Sequence, residues 1–307
     1  MSDGYTDADL GTLRRLRRGH WEPTRERPGR EATERYTHRE FEGSTIAELF
    51  HEATKYSRRR PTAGTSAGRF VSEDAFALAQ SRIPPAKPAV DRTALPDPVD
   101  LSVPVDEVLL SRRSRRTFGR EALSLAELGT LLGLGCGVSA RREVAPGVDH
   151  ALRTYPSAGA LYPVNAYLLA LQDAGEVGSG LYWYDPTEHV LGKQREGEAD
   201  LADEIDAAFA PAAETFDVWN AAAVVVLAGA FGRSTAKYGD LGYRFVLQES
   251  GHVAGNLLAV ATALDLAAFP SAAYDDRALD DLLGVDGVDE STVYTVPVGP
   301  RPEDEDD

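Results

Sequence analysis

The longest regular pattern of apolar and polar positions lies in RFVLQESGHVAGNLLAVATAL (244–264). Val246, Ser250, Val253, Leu257, Val260 and Leu264 recur at steps of four and three, so they share one face of a helix. Phe245, Glu249, His252 and Asn256 form a second, mostly polar stripe, and Gly251 and Gly255, four apart, would let another backbone come close. The pattern predicts a long central helix over about 243–265, buried against a partner subunit, with its polar stripe facing a site; the plainer reading is a core helix with one wet face. AAAVVVLAGAF (221–231) is an unbroken apolar run of strand length and predicts a buried strand. VNAYLLAL (164–171), LYWY (181–184) and STVYTVPVG (291–299) also read as strands, with DPTEH (185–189) turning the chain into a further short strand. Helices are predicted at about 105–112 and after Ser124, where Glu127 completes capping-box spacing and GLGCG (133–137) ends the element. Strands and helices mix without a regular βαβ rhythm, which predicts an α+β fold.

Upstream the pattern weakens. Thr45 and Glu48 have capping-box spacing, and Ile46, Leu49, Phe50 and Ala53 make an apolar stripe, so a helix is expected there, broken by PTAGTSAG (61–68). Six prolines between 84 and 104 predict an extended connector. The organisation expected is a charged, mobile N-terminal arm over 1–43, or one that orders only against a partner; a helix and Pro-rich connector over 44–104; a compact domain over 105–300; and an acidic tail over 301–307.

Charge narrows the function classes. Formal net charge is -17, yet residues 1–60 carry 13 Lys/Arg against 11 Asp/Glu, so the acid lies almost wholly downstream. Such a surface argues against nucleic acid and anionic membranes as partners. A single cysteine, Cys136, builds no disulfide framework and no Cys-based zinc site. The six histidines show no paired metal spacing, no apolar stretch approaches the roughly 20 residues of a membrane span, and the polar N-terminus has no signal-peptide pattern. A cytoplasmic protein without metal is expected.

Against this acidic background RRSRRTF (112–118) stands out. Arg112, Arg113 and Arg116 offer planar forks that bind phosphate bidentately, Ser114 adds a compact donor, and Phe118 follows as an apolar anchor. The set suits one small phosphorylated ligand; a solvated basic turn is the plain alternative. In RTYPSAGALYPVNAY (153–167), Pro156 stiffens a run of small residues, Ser157, Ala158 and Gly159, that would let a flat ring approach the backbone, though an ordinary strand-entry turn reads the same way. Lys237 and Tyr238, expected on a loop just past the buried strand, could form a proton-transfer pair or could be an exposed Lys beside a half-buried Tyr. GTSAG (64–68) fits G-x-S-x-G but lacks the strand before it and the helix after it, and GLGCG lacks the strand a dinucleotide loop requires.

Together these stretches resemble the FMN-dependent nitroreductase superfamily, and more narrowly its SagB-type dehydrogenase branch, related to oxidases that turn peptide thiazolines and oxazolines into azoles. The resemblance runs from about Thr45 to Gly299. It implies a nitroreductase-like fold, a central mainly antiparallel sheet flanked by helices, in a homodimer built on the long central helix. RRSRRTF matches the family's Arg-Arg-Ser-x-Arg-x-Phe element, so Arg112, Arg113, Ser114 and Arg116 would hold the phosphate, ribityl chain and ring edge of FMN. YPSAGALYP matches the loop along the isoalloxazine, assigning Pro156, Ser157, Ala158 and Gly159 to the cofactor. ESGHVAGN resembles the helix at the dimer core, HEATK (51–55) the branch's entry segment, and FPSAAYDD (269–276), with Ser271, the loop whose backbone lies near flavin N5. Arg301 would be an extra phosphate ligand. Lys237-Tyr238 falls where the azoline oxidases carry a functional Lys-Tyr pair. The implied activity is hydride transfer to FMN from a small-molecule or peptide substrate. The alternatives are an NAD(P)H-dependent nitro- or quinone reductase on the same fold, and a non-catalytic flavin-binding component of a peptide-modification complex.

Overall fold

The computed structural model describes Ile46, Phe50, His51, Thr54 and residues 87–302. The chain divides into two units, Met1–Lys55 and Tyr56–Asp307. In the first, Ile46, Phe50 and His51 are helical, and Thr54 closes the turn by donating from its N and Oγ1 to the Phe50 carbonyl, at 3.0 and 2.6 Å. The expected arm over 1–43, the Thr45–Glu48 box, the GTSAG stretch and the tail beyond Pro302 lie outside the described residues.

The second unit is built on a seven-stranded sheet of order β1-β6-β5-β4-β7-β9-β8, every pairing antiparallel. The strands are β1 (Asp91–Ala94), β4 (Val164–Ala170), β5 (Gly180–Asp185), β6 (Val190–Glu196), β7 (Ala223–Ala230), β8 (Leu266–Ala268) and β9 (Glu290–Pro300). Strands β2 (Val138–Ala145) and β3 (Val148–Arg153) form a separate hairpin. The helices are α1 (Val105–Ser111), α2 (Leu125–Cys136), α3 (Ala199–Phe209), α4 (Phe231–Tyr238), α5 (Asp240–Ala263) and α6 (Asp276–Leu283).

Two helical layers cover the sheet, and the period-2 alternation of its strands decides which residue meets which layer. In β7, Val225 and Leu227 pack with Leu128, Leu131, Leu132, Val253 and Leu257 of α2 and α5, while Val224, Val226 and Ala228 pack with Ile205 and Phe209 of α3 and Leu279 and Leu282 of α6. A strand covered on both faces needs no polar positions, which is why β7 reads as a continuous apolar run. The apolar stripe of α5 faces this core: Val246, Ser250, Val253, Leu257 and Val260 are all buried.

Local chemistry fixes the ends. Ser124 accepts from Glu127 N at 3.2 Å while its own N donates to Glu127 Oε2 at 2.7 Å, so the predicted capping box starts α2. GLGCG is the last turn of that helix and not a nucleotide loop. A methyl group on Gly135 would come 2.4 Å from Leu257, so this glycine lets α2 and α5 approach closely. Cys136 is buried in that contact, and burial pushes its thiol up to about 12, out of reach of thiolate chemistry.

Candidate functional site

The sequence-predicted residues assemble as two groups, each organised around an element the fold holds rigid.

The first surrounds the arginines. Helix α1 ends at Ser111, and residues 112–119 run on outside helix and strand. Arg115 N donates to the Ala268 carbonyl at 3.2 Å, and the Arg116 guanidinium stands 5.1 Å from the Phe269 ring centroid. Gly119 N donates to the Pro300 carbonyl at 2.7 Å. The segment is thereby tied beside the β8 end and the start of the 269–275 loop, which brings Arg112, Arg113, Ser114 and Arg116 to the same end of the sheet as Arg301. Arg113, Ser114 and Arg116 are exposed and Arg112 is half-buried. Arg113 also closes α1, its Nη1 donating to the Leu110 and Arg112 carbonyls at 2.8 and 3.0 Å, where a cation meets the negative end of the helix. Arg301 is held by Asp265 through an Nη1–Oδ1 contact of 2.6 Å. Ser271 is locked to β9: its N donates to the Thr295 carbonyl at 2.8 Å, its carbonyl accepts from Thr295 N at 3.0 Å, and its Oγ accepts from Ala273 N at 3.1 Å.

The second group surrounds the small-residue loop. Gly159, Ala160 and Tyr162 all adopt positive φ, 66°, 52° and 47°. Two of the three are not glycine, and such strain persists only where surrounding bonds over-determine it. Those bonds come from four directions. Within the loop, Ala160 N donates to the Ser157 carbonyl at 3.0 Å and Tyr162 N to Ser157 Oγ at 2.9 Å. From the hairpin, His150 Nε2 lies 2.9 Å from the Ala160 carbonyl. From α4, Arg233 Nη1 donates to the Tyr162 carbonyl at 3.1 Å. From α5 three members of the polar stripe meet this segment: Glu249 Oε1 accepts from Val164 N at 3.3 Å, His252 Nδ1 is 3.3 Å from the Pro156 carbonyl, and Asn256 Nδ2 donates to the Thr154 carbonyl at 3.3 Å. Phe245, the fourth member, meets the Tyr238 ring edge-on at 5.0 Å.

Lys237 and Tyr238 lie in the last turn of α4 and not on a loop, which corrects the expectation for them. Gly239 follows at φ 57°, ψ -144° and lets the chain turn directly into α5. The geometry sets the pair against the loop: a methyl group on Gly159 would fall 2.5 Å from Tyr238 Oη and 3.0 Å from Lys237 Nζ. Lys237 Nζ is 5.5 Å from the Tyr238 ring centroid. Burial pushes the Tyr238 phenol up, so at neutral pH it keeps its proton and acts as a donor.

Behind the loop lies a polar cluster that no motif announces. Arg233 Nη1 also donates to Asn165 Oδ1 at 3.0 Å, Asn165 Nδ2 donates to Glu290 Oε1 at 2.7 Å, and Lys87 pairs with Glu290 at 2.9 Å. Burial lowers Arg233, with Glu290 opposing that shift. The Arg153 guanidinium stands 5.7 Å from the Tyr162 ring centroid. Glu249 is 2% exposed, and burial raises its carboxyl from 4.5 to about 7, against the contrary pull of Ser157, Val164 N, Arg153 and Arg233. One signal existed in the sequence: Asn165 is the polar interruption of an otherwise apolar strand. Arg233 carried none, because its partner is 68 residues away.

With this geometry established, comparison with known proteins is direct. The nitroreductase family model matches residues 109–300, from the arginine segment to the last strand. A protein of Methanocaldococcus jannaschii that bears the name nitroreductase is 32% identical over 205 residues, covering 67% of this chain and 94% of its own. The chain belongs to the nitroreductase family, and the α+β fold with its antiparallel central sheet is that family's fold. Among solved structures, a Ralstonia eutropha nitroreductase-type protein superposes with a TM-score of 0.55 at 24% identity, over 71% of this chain and 94% of its own. An Anabaena variabilis one reaches 0.60 at 24% identity, over 83% of this chain and 46% of its own. A chain of the E. coli microcin synthetase McbBCD complex with truncated pro-MccB17 bound reaches 0.52 at 19% identity, over 87% and 97%. These three likenesses establish the shared fold. Among the described residues no helix is long and apolar enough to cross a membrane, and no group of three His, Cys, Asp or Glu side chains could hold a metal ion.

Proposed function

We propose that the protein is an FMN-dependent oxidoreductase of the SagB-type branch, and that it oxidises an azoline-like heterocycle in a small molecule or modified peptide. The observation that supports this reading is the seating of Gly159 against Lys237 and Tyr238, within one contact distance of both side chains.

The donor set fits the cofactor. Exposed guanidinium groups beside a serine, in a chain of net charge -17, form a local site for a phosphate monoester. Arg112, Arg113, Ser114 and Arg116 would hold the phosphate and ribityl chain, with Arg301 adjacent. Pro156, Ser157, Ala158 and Gly159 would underlie the ring, and the segment at Ser271 would lie along its edge. When bound, FMN supplies a ring that accepts hydride from a substrate laid over it. Lys237, as its free amine, would take the proton that the substrate must also lose as it aromatises, and Tyr238, holding its own proton, would orient the heterocycle by hydrogen bonding.

The same reading includes a homodimer built on α5. Tyr243, Leu247, Gly251 and Gly255 follow one another at steps of four along α5, all exposed, and nothing lies within 4 Å of a methyl group built on either glycine. A second copy of α5 could pack closely there. The fold shared with a chain of the microcin synthetase complex is consistent with a peptide substrate.

A second reading is an NAD(P)H-dependent nitro- or quinone reductase on the same site, of which the M. jannaschii relative's name favours the nitroreductase part. Purification decides first: the full-length protein is expected to be yellow and to release FMN on heating. Anaerobic mixing with NADPH then separates the readings. Rapid bleaching favours the reductase. Failure to bleach, with oxidation of a heterocyclised peptide, favours the azoline oxidase. A folded protein that is colourless and takes up no FMN contradicts both.

A further inference from the structure

Strands β4 and β5 pair from Ala170 opposite Gly180 to Tyr167 opposite Trp183, and there the pairing stops although both strands run on. Val164, Asn165 and Ala166 pair only with β7, and Tyr184 and Asp185 only with β6. The sheet is parted at this end. A small cavity lies in the gap, with Arg153, Tyr155, Asn165, Trp183 and Tyr184 in its lining. Trp183 belongs to the side of the core that packs on α3 and α6, and Tyr155 and Tyr184 to the side that packs on α2 and α5, so the cavity reaches between the layers. It offers about 10 Å³ to the centre of a small particle, roughly what one occupant needs.

The lining is rich in unanswered donors. Arg153 Nε and Nη1 and Trp183 Nε1 are all buried and have no hydrogen-bond partner in the protein. The polar side chains beside them are already engaged. Asn165 Oδ1 accepts from Arg233 and its Nδ2 donates to Glu290. Tyr184 Oη is bonded to His189 Nδ1 at 2.8 Å, and Cys136 Sγ donates to the Leu132 carbonyl at 3.4 Å. Tyr155 keeps its phenolic proton, because burial pushes the group well up, and so can add a further donor. A water in this place would have two protons of its own to give, and no side-chain carboxylate or amide oxygen in the lining is uncommitted to take them. An anion only accepts, and answers every one of these donors.

Charge points the same way. Arg153 and Arg233 form no ion pair among the described residues, whereas the Glu290 carboxylate is taken up by Lys87. Buried cations without a counter-charge are costly, and this interior holds two of them close together. We propose that the gap between β4 and β5 is a binding site for one monovalent anion of chloride size, held by the Arg153 guanidinium and the Trp183 indole N–H. The anion would also fix Arg153 beneath the strained loop, where its guanidinium stands 5.7 Å from the Tyr162 ring centroid. The site is separate from the exposed arginines at 112–116 and independent of the flavin reading.

The test is urea unfolding of the full chain while sodium chloride replaces sodium gluconate at fixed ionic strength, gluconate being too large for the cavity. Above the dissociation constant of the anion, the folded-to-unfolded ratio of the wild type is expected to rise about tenfold for each tenfold rise in chloride. Arg153→Met keeps the length of the side chain and removes the charge, and its stability is expected to be indifferent to chloride. Trp183→Phe loses one donor, and is expected to keep the dependence with the anion bound roughly three- to tenfold more weakly. A wild type that chloride does not stabilise overturns the proposal, because a water or nothing then fills the gap. Chloride stabilisation that persists unchanged in Arg153→Met also overturns it, because the ion then acts elsewhere, as at the exposed arginines. Should Arg153→Met not fold, wild-type crystals grown in bromide decide. An anomalous peak between the Arg153 and Trp183 side chains supports the site, and density without such a peak overturns it.

Discussion

Gly159 lies so close to Tyr238 that a single methyl group on the glycine would stand 2.5 Å from the phenolic oxygen. Its φ of 66° adds a second objection to any side chain. Gly159→Ala is therefore expected to displace both the loop and the α4 tip. Left-handed backbone in a non-glycine residue costs about 1–2 kcal/mol, and the contact adds to that. Thermal unfolding should register a loss of a few degrees, while turnover should fall at least tenfold because Lys237 and Tyr238 move with the loop.

Arg112 and Ser114 have little structural work in the fold, so their replacement tests ligand binding cleanly. Arg112→Ala is expected to lower FMN affinity by roughly tenfold or more, since a hydrogen bond to a charged group is worth about 1.5–3 kcal/mol. Circular dichroism and unfolding should be unchanged. Arg113→Ala should differ, because Arg113 also caps α1. That variant is expected to lose affinity and some stability together, a split that equilibrium dialysis and urea unfolding can resolve.

Lys237→Ala is expected to leave FMN bound and to lower turnover by about 10²–10⁴-fold, the usual contribution of a positioned proton-transfer group, and Tyr238→Phe to leave FMN bound and to lower turnover by roughly three- to tenfold, the worth of one orienting hydrogen bond. A Lys237→Ala protein that stays yellow with unchanged turnover removes Lys237 from the chemistry.

Glu249 makes the stability of the fold pH-dependent with a definite sign. Its folded-state value of about 7 lies above the ordinary 4.5, so between these values the folded chain holds a proton that the unfolded chain has released. Stability from this group is complete below about 4.5 and falls as pH rises toward 7, by up to ~3 kcal/mol at roughly 1.4 kcal/mol per unit. Glu249→Gln has no such group. Urea unfolding at pH 5 and pH 8 should show the wild type losing stability relative to this variant, with the gap closed at the acid end.

Much of this was legible because it is periodic or local. The α5 stripes follow from a helical repeat uninterrupted for five turns, and the four polar-stripe residues all reach the loop or the tip of α4 because a straight helix keeps such positions in line. The Ser124–Glu127 box lies within one turn. The β2–β3 hairpin was not legible: VSARREVA is exposed along most of its length and has no alternation to betray a strand. Helices α3 and α6 also escape the pattern reading. The Lys237-Tyr238 pair reads as a loop because GRSTAKYG is short, polar and bounded by glycines, yet Phe231 and Ser234 anchor it as a helix. In the site, the residue types were readable and their supports were not. Ser157 and Gly159 declare themselves by composition, whereas the raised pKa of Glu249 comes from burial in the folded domain, opposed by the Val164 amide 85 residues away.

One consequence of the α5 polar stripe concerns how such an enzyme can change. The helix that fills the centre of the domain grips the small-residue loop at Thr154, Pro156 and Val164, so any shift in its seating is transmitted to all three points together. The loop itself is as hard to alter as the core.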